Sequence, residues 1–361
     1  MNRSGGDNQS ECEQSIGRYY LRSRRPFGDV NGPGINRRMP THQMSHATSP
    51  YSRSAKNHNS YSYARGDEEN IQPKKTPIVR KPSFDEVISS LLLKKGININ
   101  NHKVIGSGRY SKVITANFVQ NGTMIAIKII DKTHVAEDFK KKFLPRELEL
   151  WPKLKHENLV GLMAIYEYEN RVLLINEYGK FGNLLNYVLK NGPVGEKVGG
   201  EWTRQLVSGV SYLHSNKIAH RDIKLENIVL FADRKVKLAD FGFSRTWDEV
   251  NLSATFCGSK AYSAPEVLSG IPYNPYKSDI WSLGVVCYVM LTNSMPFTEK
   301  LPNEKIIELQ KNRGYNWSPS LGLSSECKIT VDRLMTYSPL NRPSARQCCL
   351  LPWLRSFANS K

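Results

Sequence analysis

The 361-residue chain has no run of about 18 apolar residues, so the sequence offers no simple membrane-spanning helix. Its opening segment, MNRSGGDNQSECEQ, lacks the apolar stretch of a secretory signal, so an intracellular protein is expected, cytoplasmic with the nucleus as a second compartment. Cysteine is sparse and poorly spaced. Cys12, Cys257, Cys287, Cys327, Cys348 and Cys349 form no CxxC pair, and adjacent Cys348 and Cys349 suit no disulfide, so reduced thiols and no cysteine-held metal are expected. Acidic residues are in deficit: the net charge is +18, and residues 1–81 hold 14 Lys and Arg against 7 Asp and Glu. That excess suits acidic partners such as nucleic acid, anionic lipid or an acidic protein surface, without choosing among them. The same 81 residues have almost no Ile, Leu or Val and cannot bury enough apolar surface to offset ordering entropy, so a disordered basic tail is expected over 1–81. No internal period repeats.

The whole chain is 39% hydrophobic, enough for a substantial core, and the apolar residues after the tail are patterned. Phe84, Val87, Ile88, Leu91 and Leu92 recur at three-to-four spacing, which predicts a short amphipathic helix within a linker over 82–97, with Ser83 as its cap. Short β-branched stretches then follow at Lys112–Asn117, Met124–Ile130 and Val172–Asn176, with one helical stretch, Asp138–Leu150, between the second and third. After Gly182 the spacing becomes helical, as in Trp202, Leu206, Val210 and Leu213 and again over Ile280–Met290. The expected fold is α+β and bilobal, a small mostly antiparallel β lobe with one helix and a larger mostly α lobe.

Ile105-Gly106-Ser107-Gly108-Arg109-Tyr110-Ser111-Lys112-Val113 carries glycines whose missing Cβ atoms let backbone N–H groups approach phosphates. A dinucleotide-binding loop would open a helix here, whereas Lys112-Val113-Ile114-Thr115 is β-branched and leads to a turn at Asn121-Gly122, so a hairpin is predicted. The next strand, Ile125-Ala126-Ile127-Lys128, ends in a lysine whose buried charge needs a carboxylate. Glu147 on the following helix is the candidate, and Glu149 lies on a solvated face. Farther on, His220-Arg221-Asp222-Ile223-Lys224-Leu225-Glu226-Asn227 followed by Asp240-Phe241-Gly242 sets acids, a lysine and an amide at the spacing phosphoryl transfer needs.

With these motifs together, residues 98–353 resemble a eukaryotic protein kinase domain, followed by a short tail over 354–361. The resemblance implies ATP and Mg2+ as cofactors and assigns roles by position. Asp222 is the catalytic base, Lys224 neutralises charge on the moving phosphoryl group, and Asn227 and Asp240 hold magnesium. Lys128, held by Glu147, reaches the nucleotide phosphates, while Ile105, Gly106, Ser107, Gly108, Val113, Ala126, Glu177, Gly179 and Val229 line the nucleotide site. Ser111 stands where the template has its third glycine. Thr255, between Asp240 and Ala264-Pro265-Glu266, is the activation phosphosite, facing Arg221 and Arg245. Glu266 pairs with Arg342 in the large lobe, and Asp279 braces the catalytic loop. Lys224 with Gly258-Ser259 favours serine and threonine acceptors over tyrosine.

Asp138-Phe139, Lys142-Phe143-Leu144-Pro145-Arg146-Glu147, Thr255-Phe256-Cys257-Gly258-Ser259, Gly270-Ile271-Pro272-Tyr273 and Ser294-Met295-Pro296-Phe297 resemble the testis-specific serine/threonine kinases of the calmodulin-kinase-like group. That implies a role in male germ-cell development, protein substrates, an upstream kinase or autophosphorylation at Thr255, and a monomer. Some positions depart from the pattern. Asn176 takes the normally apolar gatekeeper place and is expected to find a partner near the nucleotide. Asn183 replaces an acid that reads a substrate arginine, leaving Glu226 for part of that reading, and Trp151-Pro152 should end the small-lobe helix early.

The tail offers Arg80-Lys81-Pro82-Ser83 as a basophilic site and Ser49-Pro50 and Thr76-Pro77 as proline-directed ones. Its tyrosines at 19, 20, 51, 61 and 63 lie among arginines and could stack on RNA bases, but no folded RNA-binding module accompanies them. Two other readings compete with an active kinase: a pseudokinase scaffold, and a nucleic-acid-associated protein acting through its basic tail. The joint presence of Lys128, Glu147, Asp222, Asn227 and Asp240 argues against the first.

Overall fold

In the computed structural model, residues 84–108, 111–248 and 251–357 are described. The expected tail over 1–81, its phosphorylation motifs, the Ser83 cap, and Arg109 and Tyr110 of the glycine loop lie outside them.

The chain enters through helix α1 (Phe84–Lys94) and then builds the small lobe from strands β1 (Ile97–Asn98), β2 (Val104–Ser107), β3 (Ser111–Phe118) and β4 (Met124–Asp131). A wide π-type turn, Phe139–Phe143, leads into α2 (Leu144–Leu150), and β5 (Leu162–Tyr168) and β6 (Arg171–Glu177) complete the sheet. All pairings are antiparallel, in the order β1-β3-β4-β6-β5 with β2 on β3.

Strand alternation gives this sheet two different faces. Ile125, Ile127, Leu173 and Ile175 point to one side, where Ile88 and Leu92 of α1 and Ile97 and Ile114 close a small core. The helix expected as a linker is therefore part of the small lobe. Leu92 has no exposed surface. Truncating it to alanine is expected to cost about 2–3 kcal/mol, the range for a large-to-small change that leaves a cavity. Urea unfolding of the full chain checks this, and an unchanged midpoint would mean that α1 contributes nothing to the core. The sheet's other face carries Lys128 and Asn176 toward the large lobe, beside Val172 and Leu174 of the main core.

The helical stretch expected over Asp138–Leu150 is present and unbroken, with residues 139–143 in the wider π-type turn and Pro145 near the start of α2. At the other end Trp151–Lys153 tightens into a 3-10 turn at Pro152.

The large lobe is helical: α3 (Leu184–Asn191), α4 (Glu196–Ser215), α5 (Pro265–Leu268), α6 (Pro275–Thr292), α7 (Asn303–Lys311), α8 (Ser325–Leu334), α9 (Ala345–Cys348) and α10 (Pro352–Arg355). Short strands β7 (Ile218–Ala219), β8 (Ile228–Leu230), β9 (Val236–Leu238) and β10 (Arg245–Thr246) carry the loops that matter for function. Helix α6 is apolar on nearly every side and runs through the core. Packing continues through the first residues after 353. Leu354 is fully buried, and the Phe357 ring lies so close to Gly200 of α4 that a Cβ there would come within 2.1 Å of it. None of the described cysteines is in a disulfide, and no described helix is long and apolar enough to cross a membrane.

Candidate active site

Lys128 stands on β4 at the mouth between the lobes, and burial alone would lower the pKa of its ammonium. Two carboxylates outweigh that penalty. Its Nζ lies 2.8 Å from Asp240 Oδ1 and 2.7 Å from Glu147 Oε1, so the lysine is held above its ordinary pKa and stays charged. Burial would raise Asp240 in turn, but the Lys128 charge and hydrogen bond hold its carboxyl down at about 2. Glu147 is fully buried on α2, so the small-lobe helix and the Asp240 loop are tied through one lysine.

The catalytic-loop residues converge just as closely. Asp222 Oδ2 lies 2.8 Å from Lys224 Nζ and accepts from Asn227 Nδ2 at 3.0 Å, while Oδ1 accepts from Ser259 Oγ at 3.2 Å. Lys224 also donates to Ser259 at 3.0 Å, which joins the activation segment to the loop. Gly258 has φ +98° and sits where a Cβ would come 2.6 Å from Arg221 O, so only glycine lets the two backbones meet. Beneath the loop, Asp279 accepts from the backbone N–H of His220 at 2.9 Å and of Arg221 at 2.8 Å. Arg221 and Asp240 themselves hold φ near +66° and +65°, a strained conformation for non-glycine residues that these braces maintain.

The nucleotide-site candidates gather around the strand ends. Gly106 lies opposite Val113 in the hairpin, and Gly108 N–H donates to Ser111 O at 2.8 Å. Ala126 faces Asn176 across β4 and β6. Gly179 packs so tightly on β8 that a Cβ would come 2.1 Å from Val229 Cγ1. Ile105 is partly exposed, next to Ser107 at the end of β2. Glu177 presents its backbone at the strand end, and its carboxylate accepts from Lys237 Nζ at 2.6 Å and Gly161 N–H at 3.1 Å. Among the described residues no group of three His, Cys, Asp or Glu side chains gathers to hold a metal. Asp240 and Asn227 nevertheless suit magnesium, which takes one or two side-chain oxygens and completes its shell with phosphates and water. The Asn227 amide nitrogen is already committed to Asp222, which leaves its oxygen for a cation.

Around Thr255 the sequence reading was incomplete. Thr255 is exposed, and its carbonyl accepts from Tyr273 OH at 3.0 Å. Arg221 donates through Nε to Phe243 O at 2.8 Å, but both its terminal nitrogens are buried without a partner. Arg146, on α2 beside Glu147, is the third member of the cluster: burial and then the charges of Arg245 and Arg221 lower its pKa. Its position directly before Glu147 was the only available signal. Trp151, where the sequence departs from the usual smaller residue, packs behind the Asp240 loop. Its ring packs 5.3 Å from that of Phe241 and its N–H donates to Val160 O at 2.9 Å.

The departures resolve unevenly. Asn183 caps α3, accepting from Asn186 N–H at 2.9 Å, and Glu226 accepts from Tyr262 OH at 3.4 Å. Asn176 finds no partner among the described residues, and its amide oxygen is buried and unbonded. Glu266 and Arg342 form a two-pronged buried pair at 2.7 and 3.1 Å, and the guanidinium stacks 5.1 Å over Trp281.

A two-lobed fold that joins a lysine, two acids and an amide in this way defines a phosphotransferase site, and the comparison with known families agrees. Residues 99–354 match the protein kinase domain, and the chain belongs to the protein kinase family. Its relatives narrow the class to protein serine/threonine kinases, which use ATP and act on protein substrates. Mouse testis-specific serine/threonine-protein kinase 3 is 39% identical over 272 residues, covering 74% of this chain and 100% of the relative. Human testis-specific serine/threonine-protein kinase 4 is 37% identical over 249 residues, covering 64% and 75% respectively.

Proposed function

We propose that this serine/threonine kinase is catalytically active, with Asp222 as the base that takes the proton of the acceptor hydroxyl. The observation that carries this is the double ion pair of Lys128 with Glu147 and Asp240, which a scaffold without phosphotransfer has no need to keep. Asp222 accepts from Lys224, Asn227 and Ser259, which hold its carboxylate in place to take the proton of an acceptor hydroxyl. Lys224, already bonded to Asp222 and Ser259, neutralises charge on the phosphoryl group as it moves. Asn227 and Asp240 would hold magnesium, whose bound charge offsets that of the phosphates. The glycine hairpin, Ala126, Val229 and the backbone at Glu177 and Gly179 enclose the nucleotide.

Control falls to Thr255. A phosphate there adds nearly two negative charges opposite Arg146, Arg221 and Arg245, and the free guanidinium nitrogens of Arg221 are what it would satisfy. Because Arg146 adjoins Glu147, the same phosphate steadies the helix that holds Lys128. An upstream kinase or the chain itself supplies it. Thr255→Ala is expected to lower specific activity about tenfold, within the usual range of coupling between sites. Equal activity of the variant and the phosphorylated wild type would rule this control out. By its relatives' names the chain acts in male germ cells, and we place it in the cytoplasm, with the nucleus as a second compartment, as a monomer.

A further inference from the structure

Asn176 is a polar residue directly after the apolar run 172–175 of β6, 6% exposed, with its amide oxygen shielded from solvent and bonded to nothing. Neither end of the amide makes a hydrogen bond among the described residues. The sheet's alternation fixes where it lies. Ile125, Ile127, Leu173 and Ile175 belong to the α1 side, so Asn176, opposite Ala126 and two residues beyond Leu174, shares the face that carries Lys128. The next residue, Glu177, begins the segment whose backbone the nucleotide-site reading sets against the base. A buried amide left unbonded is costly, and a structure keeps one where a ligand completes it.

We propose that the Asn176 side-chain oxygen accepts a hydrogen bond from the 6-amino group of adenine, which makes Asn176 a specificity-determining residue for the nucleotide. The inference rests on the nucleotide-site reading above. A 6-amino group carries two N–H bonds, and one backbone carbonyl takes only one of them. An apolar side chain at this position leaves the second without an acceptor. The Asn176 amide can present its oxygen by a half-turn about its last bond, and that turn breaks no protein hydrogen bond. A purine without the amino group leaves the buried oxygen orphaned again, so the site discriminates against it.

The test uses the full chain and two nucleotides, ATP and purine riboside triphosphate, which differ only in the 6-amino group. Transfer to a generic serine/threonine protein substrate gives kcat/KM for wild type, Asn176→Leu and Asn176→Thr. ATP's advantage over the purine analogue is expected to shrink about tenfold in Asn176→Leu, the worth of one hydrogen bond in a dry site. Asn176→Thr, which keeps a hydroxyl oxygen, falls between. An advantage equal in wild type and Asn176→Leu overturns the proposal, because a packing role would lower both nucleotides together. Transfer from neither nucleotide by wild type would instead overturn the kinase-site reading, and the proposal with it.

Discussion

Asp222→Asn lowers phosphate transfer by about a hundred- to ten-thousand-fold, the contribution of a positioned base, with little change in ATP affinity. The shape of the side chain is preserved, but an amide cannot take the proton of the attacking hydroxyl. Asn227 and Lys224 both donate to Asp222, so the substitution also sets donor against donor in a buried network. ATP binding and thermal unfolding measured beside transfer separate these effects. A variant that folds, binds ATP and transfers at the wild-type rate would remove Asp222 from the chemistry.

Glu266→Ala is expected to destabilise the chain by about 3–5 kcal/mol, the cost of leaving a buried charge unpaired. Arg342 is 1% exposed and cannot swing out to water. Its guanidinium also donates to the carbonyls of Thr336, Lys277 and Tyr337, so relaxation would break further bonds. Lys277 in turn donates to Arg342 O, which ties α6 into the same cluster. Glu266→Gln keeps one acceptor and should recover part of the loss. The exposed pair of Lys132 and Glu167 is the control: its disruption is worth about 0–1 kcal/mol. Chemical denaturation of the three variants would contradict this account if Glu266→Ala unfolded at the midpoint of the Lys132 variant.

Much of this was legible because the site is built from short motifs whose spacing is fixed by local geometry. A buried lysine on an apolar strand needs a carboxylate, and Glu147 and Asp240 both answer it. The large-lobe helices α4 and α6 followed from apolar spacing, as did the change from β to α after Gly182. What escaped depends on packing between distant segments. The amphipathic stretch from Phe84 reads as a helix, but nothing local says that Ile88 and Leu92 finish the small-lobe core. Nothing local gives Arg146 a role, and only the fold brings it to Arg221 and Arg245. Trp151-Pro152 announces a helix end but not the ring of Phe241 against which it packs. Asn183 looked like a changed substrate contact and proved to be a helix cap, a role that Asn fills through its side-chain oxygen. The wide turn at 139–143 has no signal at all in residue spacing.

The central claim is that the chain transfers the γ-phosphate of ATP to serine and threonine hydroxyls. The direct measurement is incubation of the full chain, phosphorylated at Thr255, with γ-labelled ATP, magnesium and a generic protein substrate, followed by identification of the labelled amino acids. Label on phosphoserine and phosphothreonine, absent when magnesium is chelated and reduced to background by Asp222→Asn, is the predicted result. Wild-type labelling no greater than that of Asp222→Asn would contradict the account and leave a scaffold in place of the enzyme.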